Sequence, residues 1–222
     1  MIEIKNLSVK YNSDFYSLYN FNLKIDRNTL ILGDRLSGGF ALMQVLAKFK
    51  NSYLGEVLID DVNVKKIKNK NLDLAFVSYT PTLFKNKTVK VNLMYPLIMR
   101  KVKREKCNAL VTEITNLYGV DYIDKKAKKL TESEAKIVCL LRAIIRQPKI
   151  ILLEHFFENL DEPSTFLANK IISQIEPNCL VIATENATQP CYENYKVEHL
   201  ENGSLITPKN KFLDSQTNYK QK

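Results

Sequence analysis

Two uninterrupted apolar runs, Ile150-Ile151-Leu152-Leu153 and Leu180-Val181-Ile182-Ala183, restrict what this chain can fold into more than any other feature. A strand with one wet face alternates apolar and polar residues. A strand apolar at every position is buried on both faces, the condition inside a parallel sheet covered by helices. Between the runs, Phe166 to Ile175 carries apolar residues at helical spacing, so the segment predicts a βαβ unit.

The N-terminal part reads differently. Ile2 and Ile4, then Leu7 and Val9, alternate as in a half-buried strand, and Phe21, Leu23 and Ile25 do so again. Thr29-Leu30-Ile31-Leu32 is a short buried strand that runs into Gly33, and Leu42, Met43, Val45, Leu46 and Phe49 then recur at helical spacing. Val57-Leu58-Ile59, closed by Asp60-Asp61, and Leu74-Ala75-Phe76-Val77 predict two more strands. From about Thr88 to Arg142 strand signals fade, lysines multiply, and Ala109, Leu110, Ile114 and Leu117 fall on a helical face; Ala135 to Ile145 is a further helical run. The order is strand, glycine turn, helix, helical insertion and further parallel strands: an α/β nucleotide-binding plan with a helical subdomain at about 88–140 inside a domain spanning 1–208. A polar tail, 209–222, is expected to fray.

Composition removes other classes. With 222 residues, 45% of them hydrophobic, the chain is long enough for one domain and too apolar to be wholly disordered. No apolar stretch nears the ~20 residues of a membrane helix, and Glu3 and Lys5 break up the N-terminus, so the expectation is a soluble, cytoplasmic chain. The four cysteines form no CxxC pair and read as buried or inert thiols of a reducing compartment. Two histidines are too few for a histidine-rich metal site, and none is assigned. The formal charge of +9 fits nucleic acid, an anionic membrane surface or plain solubility; few aromatics interleave with the lysines, so a solvated face is favoured and no nucleic acid is expected as a partner.

The motif positions carry a resemblance. Gly33-Asp34-Arg35-Leu36-Ser37-Gly38-Gly39-Phe40 occupies a phosphate-loop frame, G-x4-G-K-[ST]. Leu130-Thr131-Glu132-Ser133-Glu134 stands where an LSGGQ signature belongs, and Glu154, after an apolar strand, stands at a Walker B aspartate. Asn159-Leu160-Asp161 is similar to a D-loop, Tyr79 to the Q-loop glutamine, Glu185 to the switch histidine, and Tyr11 to the aromatic that stacks on adenine. Over Met1 to about Ile206 the chain resembles the ATP-binding subunit of an ABC transporter. That resemblance implies a P-loop NTPase-like core with a mostly parallel sheet, an N-terminal antiparallel β region and a helical subdomain. It also implies ATP and Mg²⁺ as cofactors, a second ATP-binding subunit (homo- or heterodimer) and a membrane permease as partners, and a place at the cytoplasmic face of the membrane. Leu160-Asp161-Glu162-Pro163 mimics the end of Walker B, yet no strand leads into it, and Asp161 is better read as the D-loop.

The departures shape the functional expectation. Gly39 replaces the lysine that grips the β- and γ-phosphates, and Phe40 replaces the hydroxyl that coordinates Mg²⁺. A charge-assisted hydrogen bond is worth roughly 1.5–3 kcal/mol, so the lysine alone accounts for ~10- to 100-fold in affinity. Gly38 and Gly39 leave two readings, a permissive loop with free N–H groups or a tight turn that only joins strand to helix, and the second is favoured. Arg35 offers charge from a new direction. His155 stands where the family's catalytic glutamate polarises water, a role for which imidazole there is a poor substitute. Glu132 and Ser133 replace signature glycines, and Glu132 and Glu185 add negative charge where a γ-phosphate would lie. Tyr79 reads as a packed aromatic. Gly39, Phe40, Tyr79, Glu132, His155 and Glu185 changed together predict no ATP hydrolysis, and no catalytic residue is assigned. The expected function is a pseudo-ATPase acting as scaffold or regulator of a transport complex. The open alternatives are a weak ATP sensor using Tyr11, Gly33, Gly38 and Glu154, a residually active subunit, and a nucleic-acid-binding relative.

Overall fold

The structure, a computed structural model, describes residues 1–10, 15–175, 177 and 179–206. Tyr11 and the polar tail at 209–222 lie outside the described residues. The first sheet is antiparallel. It holds β1 (Ile2–Lys10), β2 (Tyr16–Ile25), β4 (Leu54–Ile59) and the short β5 (Val62–Asn63), in the order β2-β1-β4-β5. The second sheet has the order β10-β9-β3-β8-β7-β6. In it, β3 (Thr29–Leu32), β6 (Leu74–Val77), β7 (Ile150–Glu154), β8 (Leu180–Glu185) and β9 (Lys196–Glu201) run parallel, and β10 (Ser204–Ile206) closes the edge antiparallel.

The unbroken apolar runs are explained by a two-sided burial. Side chains alternate across a strand, so Ile150, Leu152 and Ile182 enter one core with Ile31, helix α1 (Gly39–Leu46) and the antiparallel sheet. Ile151, Leu153, Val181 and Ala183 enter the other with Leu30 and the helices α2 (Val89–Met99), α3 (Arg104–Leu117), α4 (Glu132–Ile144) and α5 (Glu162–Ser173). Helices α2 to α4 lie between β6 and β7 in the chain.

The sequence pattern did not reveal β9 or β10. In β9 (Lys-Val-Glu-His-Leu-Glu) Leu200 is the one buried residue, so its alternation is too shallow to read. Helix α2 was equally hidden, because it contains Pro96 and its apolar residues are spread around its circumference.

Candidate functional site

Four loops leave the same edge of the parallel sheet, at the C-terminal ends of β3, β6, β7 and β8, the place where open α/β sheets build their sites. The first is the glycine loop. Gly33 N donates to Glu185 O at 3.0 Å, and Ser37 N donates to Asp34 O at 3.1 Å. Leu36 N donates to Asp34 Oδ1 at 2.8 Å, an Asx-type turn in which the chain's own carboxylate takes a loop amide. Gly38 sits at φ +109°, and a Cβ there would stand 2.4 Å from Ser17 O, so both backbone angle and room demand glycine. A Cβ on Gly39 would stand 2.9 Å from Thr184 Cγ2. Gly39 therefore lies closed against β8, while Phe40 turns outward and is 44% exposed. Arg35 is not free: its guanidinium lies 4.1 Å from the centre of the Tyr79 ring.

Tyr79, in the loop after β6, is the hinge of the polar cluster. It is half-buried, its N–H donates to Glu154 Oε2 at 3.2 Å, and its hydroxyl accepts from Asn159 Nδ2 at 2.9 Å. A second cation shares its ring, with Lys136 Nζ 4.7 Å from the centroid. Lys136 is 0% exposed and donates to the carbonyls of Phe156, at 3.3 Å, and Glu158. Burial pulls its ammonium below the usual lysine range, while Glu132, Glu185 and Glu158 work the other way.

Glu154 ends β7 as a buried carboxylate whose affinity for a proton is raised by burial. His155 follows with φ +41°, a left-handed angle that a histidine adopts only when its surroundings hold it there. It is 2% exposed, with Nδ1 2.9 Å from Glu158 Oε1. Desolvation holds its imidazole below the ordinary histidine range, opposed by Glu158. Asn186 Nδ2 also donates to Glu158 Oε1.

The Glu185 side chain turns inward and is 2% exposed. Its Oε1 accepts from Phe156 N at 2.9 Å and Phe157 N at 3.3 Å, and lies 3.5 Å from the Tyr192 hydroxyl. Burial pushes its carboxyl up to about 8, so at neutral pH it is substantially protonated. The physical reason is packing: the side chain points into the turn after β7, where two free amides need an acceptor.

The signature-like segment opens α4. Thr131 caps α4 in a reciprocal box, accepting from Glu134 N at 3.1 Å while Glu134 Oε2 accepts from Thr131 N at 2.8 Å. Lys125 binds the same carboxylate at 2.9 Å. Leu130 is half-buried and Glu132 exposed. Ser133 is buried, with Oγ accepting from Asp161 N at 3.0 Å within the same chain. Asp161 is the N-cap of α5, its side chain accepting from Ser164 N at 2.9 Å, which separates it from the end of the strand. Leu160 is half-buried beside it.

The structure thus gathers Arg35, Tyr79, Glu154, His155, Glu158, Asn159, Lys136 and Glu185 around one turn. Lys136 and Glu158 were not singled out from the sequence. Lys136 had a readable signal, since a lysine sharing a helical face with Leu140 and Ala143 is a cation on an apolar stripe.

The profile of the family described as "ABC transporter" matches residues 17–164, more than half of the chain. The chain belongs to the ABC transporter ATP-binding family. Among curated relatives, it is 25% identical over 162 residues to a molybdate/tungstate import ATP-binding protein of Pyrococcus abyssi, which covers 72% of this chain and 47% of that protein. It is 30% identical over 164 residues to a spermidine/putrescine import ATP-binding protein of Lawsonia intracellularis, covering 72% and 44%. The chain thus spans about half the length of the curated relatives it matches. A dimeric ATP-binding cassette solved in a post-hydrolysis state with ADP and Pi has the same fold, with a TM-score of 0.83 at 20% identity over 93% of this chain and 97% of that one. No helix among the described residues is long and apolar enough to cross a membrane.

Proposed function

We propose that this chain is a non-hydrolysing member of its family, a pseudo-ATPase that serves as a scaffold or regulatory subunit of a membrane import complex. It would pair with a second ATP-binding subunit and a permease at the cytoplasmic face. The observation that carries this reading is the turn after β7, where groups that would face nucleotide and metal are bonded to one another. Lys136 caps the carbonyls of Phe156 and Glu158, Glu185 takes the amides of Phe156 and Phe157, and Glu154 takes the amide of Tyr79.

The donor set does not fit Mg-ATP. Position 39 has no ammonium, position 40 has no hydroxyl, and the Leu36 amide is occupied by Asp34. His155, buried and strained, is poorly placed to activate water.

Titration calorimetry with millimolar Mg-ATP, together with a phosphate-release assay, tests the reading. The expected result is no heat, no thermal shift and no turnover, and Gly39→Lys with Phe40→Ser does not restore turnover. Turnover that Glu154→Gln abolishes would overturn it. Heat without turnover would favour the weak ATP sensor, a reading supported by the retained left-handed Gly38 at the start of α1.

A further inference from the structure

Strands β9 and β10 are joined by a turn of two residues. Glu201 pairs with Ser204, which leaves Asn202 and Gly203 to reverse the chain, at φ of +48° and +78°. Two left-handed residues in succession match the twist of the flanking strands, and Asn-Gly is the pair that adopts them most readily. The same pair is chemically labile. A glycine nitrogen has no side chain beside it to hinder its attack on the asparagine amide, the step that expels ammonia. Asn202-Gly203 is the one Asn-Gly in the chain. Asn202 is exposed, and its side chain holds no hydrogen bond among the described residues.

Gly203 is in the opposite situation. It is buried, and its N–H donates to Ser37 O, in the glycine loop, at 2.7 Å. Gly38 packs at the same point, where an added Cβ would stand 3.4 Å from Gly203 Cα. A Cβ on Gly38 or on Gly203 would meet the same Ser17 O, at 2.4 and 2.7 Å. The hairpin turn, the glycine loop and β2 therefore touch backbone to backbone.

We infer that Asn202 is a self-modification site gated by the glycine loop. It closes to a cyclic imide with Gly203 when the bond from Gly203 N to Ser37 O opens, and it is inert while that bond is made. In the reaction Gly203 N gives its proton to solvent and bonds to Asn202 Cγ. The Cγ–Nδ2 bond breaks, and the nitrogen takes a proton from water and leaves as ammonia. Water then opens the imide at either carbonyl, giving aspartate or, with the chain rerouted through Cβ, isoaspartate. The closed bond blocks the first step in two ways. The proton that must leave is held on a carbonyl oxygen, which repels the bare nitrogen left behind. Attack also strands the carbonyl of Ser37, a residue only 4% exposed, without its donor. Isoaspartate lengthens the turn by one backbone atom, more than a two-residue hairpin absorbs, so the modified turn releases the loop. The inference is independent of whether nucleotide binds.

Asn51-Ser52 is the internal reference. Both residues are exposed between α1 and β4, and Ser52 N donates to no group among the described residues. A serine side chain slows the same attack, so in an unstructured chain Asn202 reacts before Asn51. The fold reverses that order. The test is peptide mass spectrometry of the full chain aged at mildly alkaline pH, folded or in urea, beside a synthetic peptide of residues 198–206. Asn202 converts first in urea, and Asn51 converts first in the folded chain. Folded Asn202 lags the peptide by about tenfold or more, the factor set by one buried hydrogen bond that must open. Gly38→Ala forces the loop away from Ser17 O, so it speeds both hydrogen exchange at Gly203 N–H and conversion of Asn202 while Asn51 keeps its rate. A melting curve checks that this variant is folded. If it is not, mild urea on the parent chain replaces it, and exchange at Gly203 N–H and conversion of Asn202 rise together. Three results overturn the inference: Asn202 reacting as fast in the folded chain as in the peptide, Asn202 reacting before Asn51 in the folded chain, or Asn202 staying inert once Gly203 N–H exchanges freely, which would assign the protection to the turn alone.

Discussion

The glycine loop and the turn after β7 stand side by side, and they are held in opposite ways. The loop keeps its shape through backbone packing: Gly38 fits against Ser17 O, and Gly203 N donates to Ser37 O at 2.7 Å. The turn after β7 keeps its shape through two buried polar side chains, Lys136 and Glu185, each bonded to two backbone groups. Steric constraints on a backbone persist when neighbouring side chains change. Electrostatic constraints must be replaced group for group, because a buried amide or carbonyl left without a partner costs about 1–3 kcal/mol.

The sharpest way to break this contrast is Lys136→Met. If the ammonium holds the turn, its loss strands the carbonyls of Phe156 and Glu158 and lowers stability by about 2–4 kcal/mol in urea unfolding. A change below half a kcal/mol would mean that the turn holds itself. Gly38→Ala is next. With the backbone angle and Ser17 O both against it, a loss of about 2 kcal/mol is expected by the same measurement, and a neutral result would remove the steric account of the loop.

Glu185 gives a pH signature. Its folded carboxyl binds protons up to about 8, against an ordinary value of 4.5, so the folded state holds more protons than the unfolded one between these limits. Stability from this group is complete below the lower value and is lost as pH rises through the upper one. Glu185→Gln keeps an acceptor for Phe156 N and Phe157 N, so it flattens this decline and raises Tm at pH 8.5 by about 4 °C; a pH profile unchanged from the parent would contradict it. The smallest effect belongs to Tyr79→Leu, which removes the ring that Arg35 and Lys136 share and costs about 1 kcal/mol. Arg35→Ala in both backgrounds gives the coupling as a double-mutant cycle, and zero coupling would sever the loop from the turn.

Much of the frame was legible residue by residue. Ile150 to Leu153 and Leu180 to Ala183 announced two-sided burial, and Gly33 to Phe40 announced a strand-to-helix turn, because periodicity and glycine are local properties of a chain. The roles inside the site were not legible. That Ser133 accepts from Asp161 N and Glu185 from Phe156 N and Phe157 N could not be read from the sequence, since position along the chain says nothing about which way a side chain turns. Lys136 was passed over because its partners, Tyr79, Phe156 and Glu158, lie on other elements.

By itself, then, the amino-acid order determined the α/β plan and the glycine-bearing turn from strand to helix at Gly33 to Phe40. The tertiary structure alone decided that the carboxylate of Glu185 faces inward, that one buried ammonium serves two carbonyls, and that the Gly203 amide meets Ser37 O. The reason is range. Covalent geometry and periodicity act over a few residues, whereas desolvation and the pairing of buried charges depend on which distant segments the fold brings within a few ångströms.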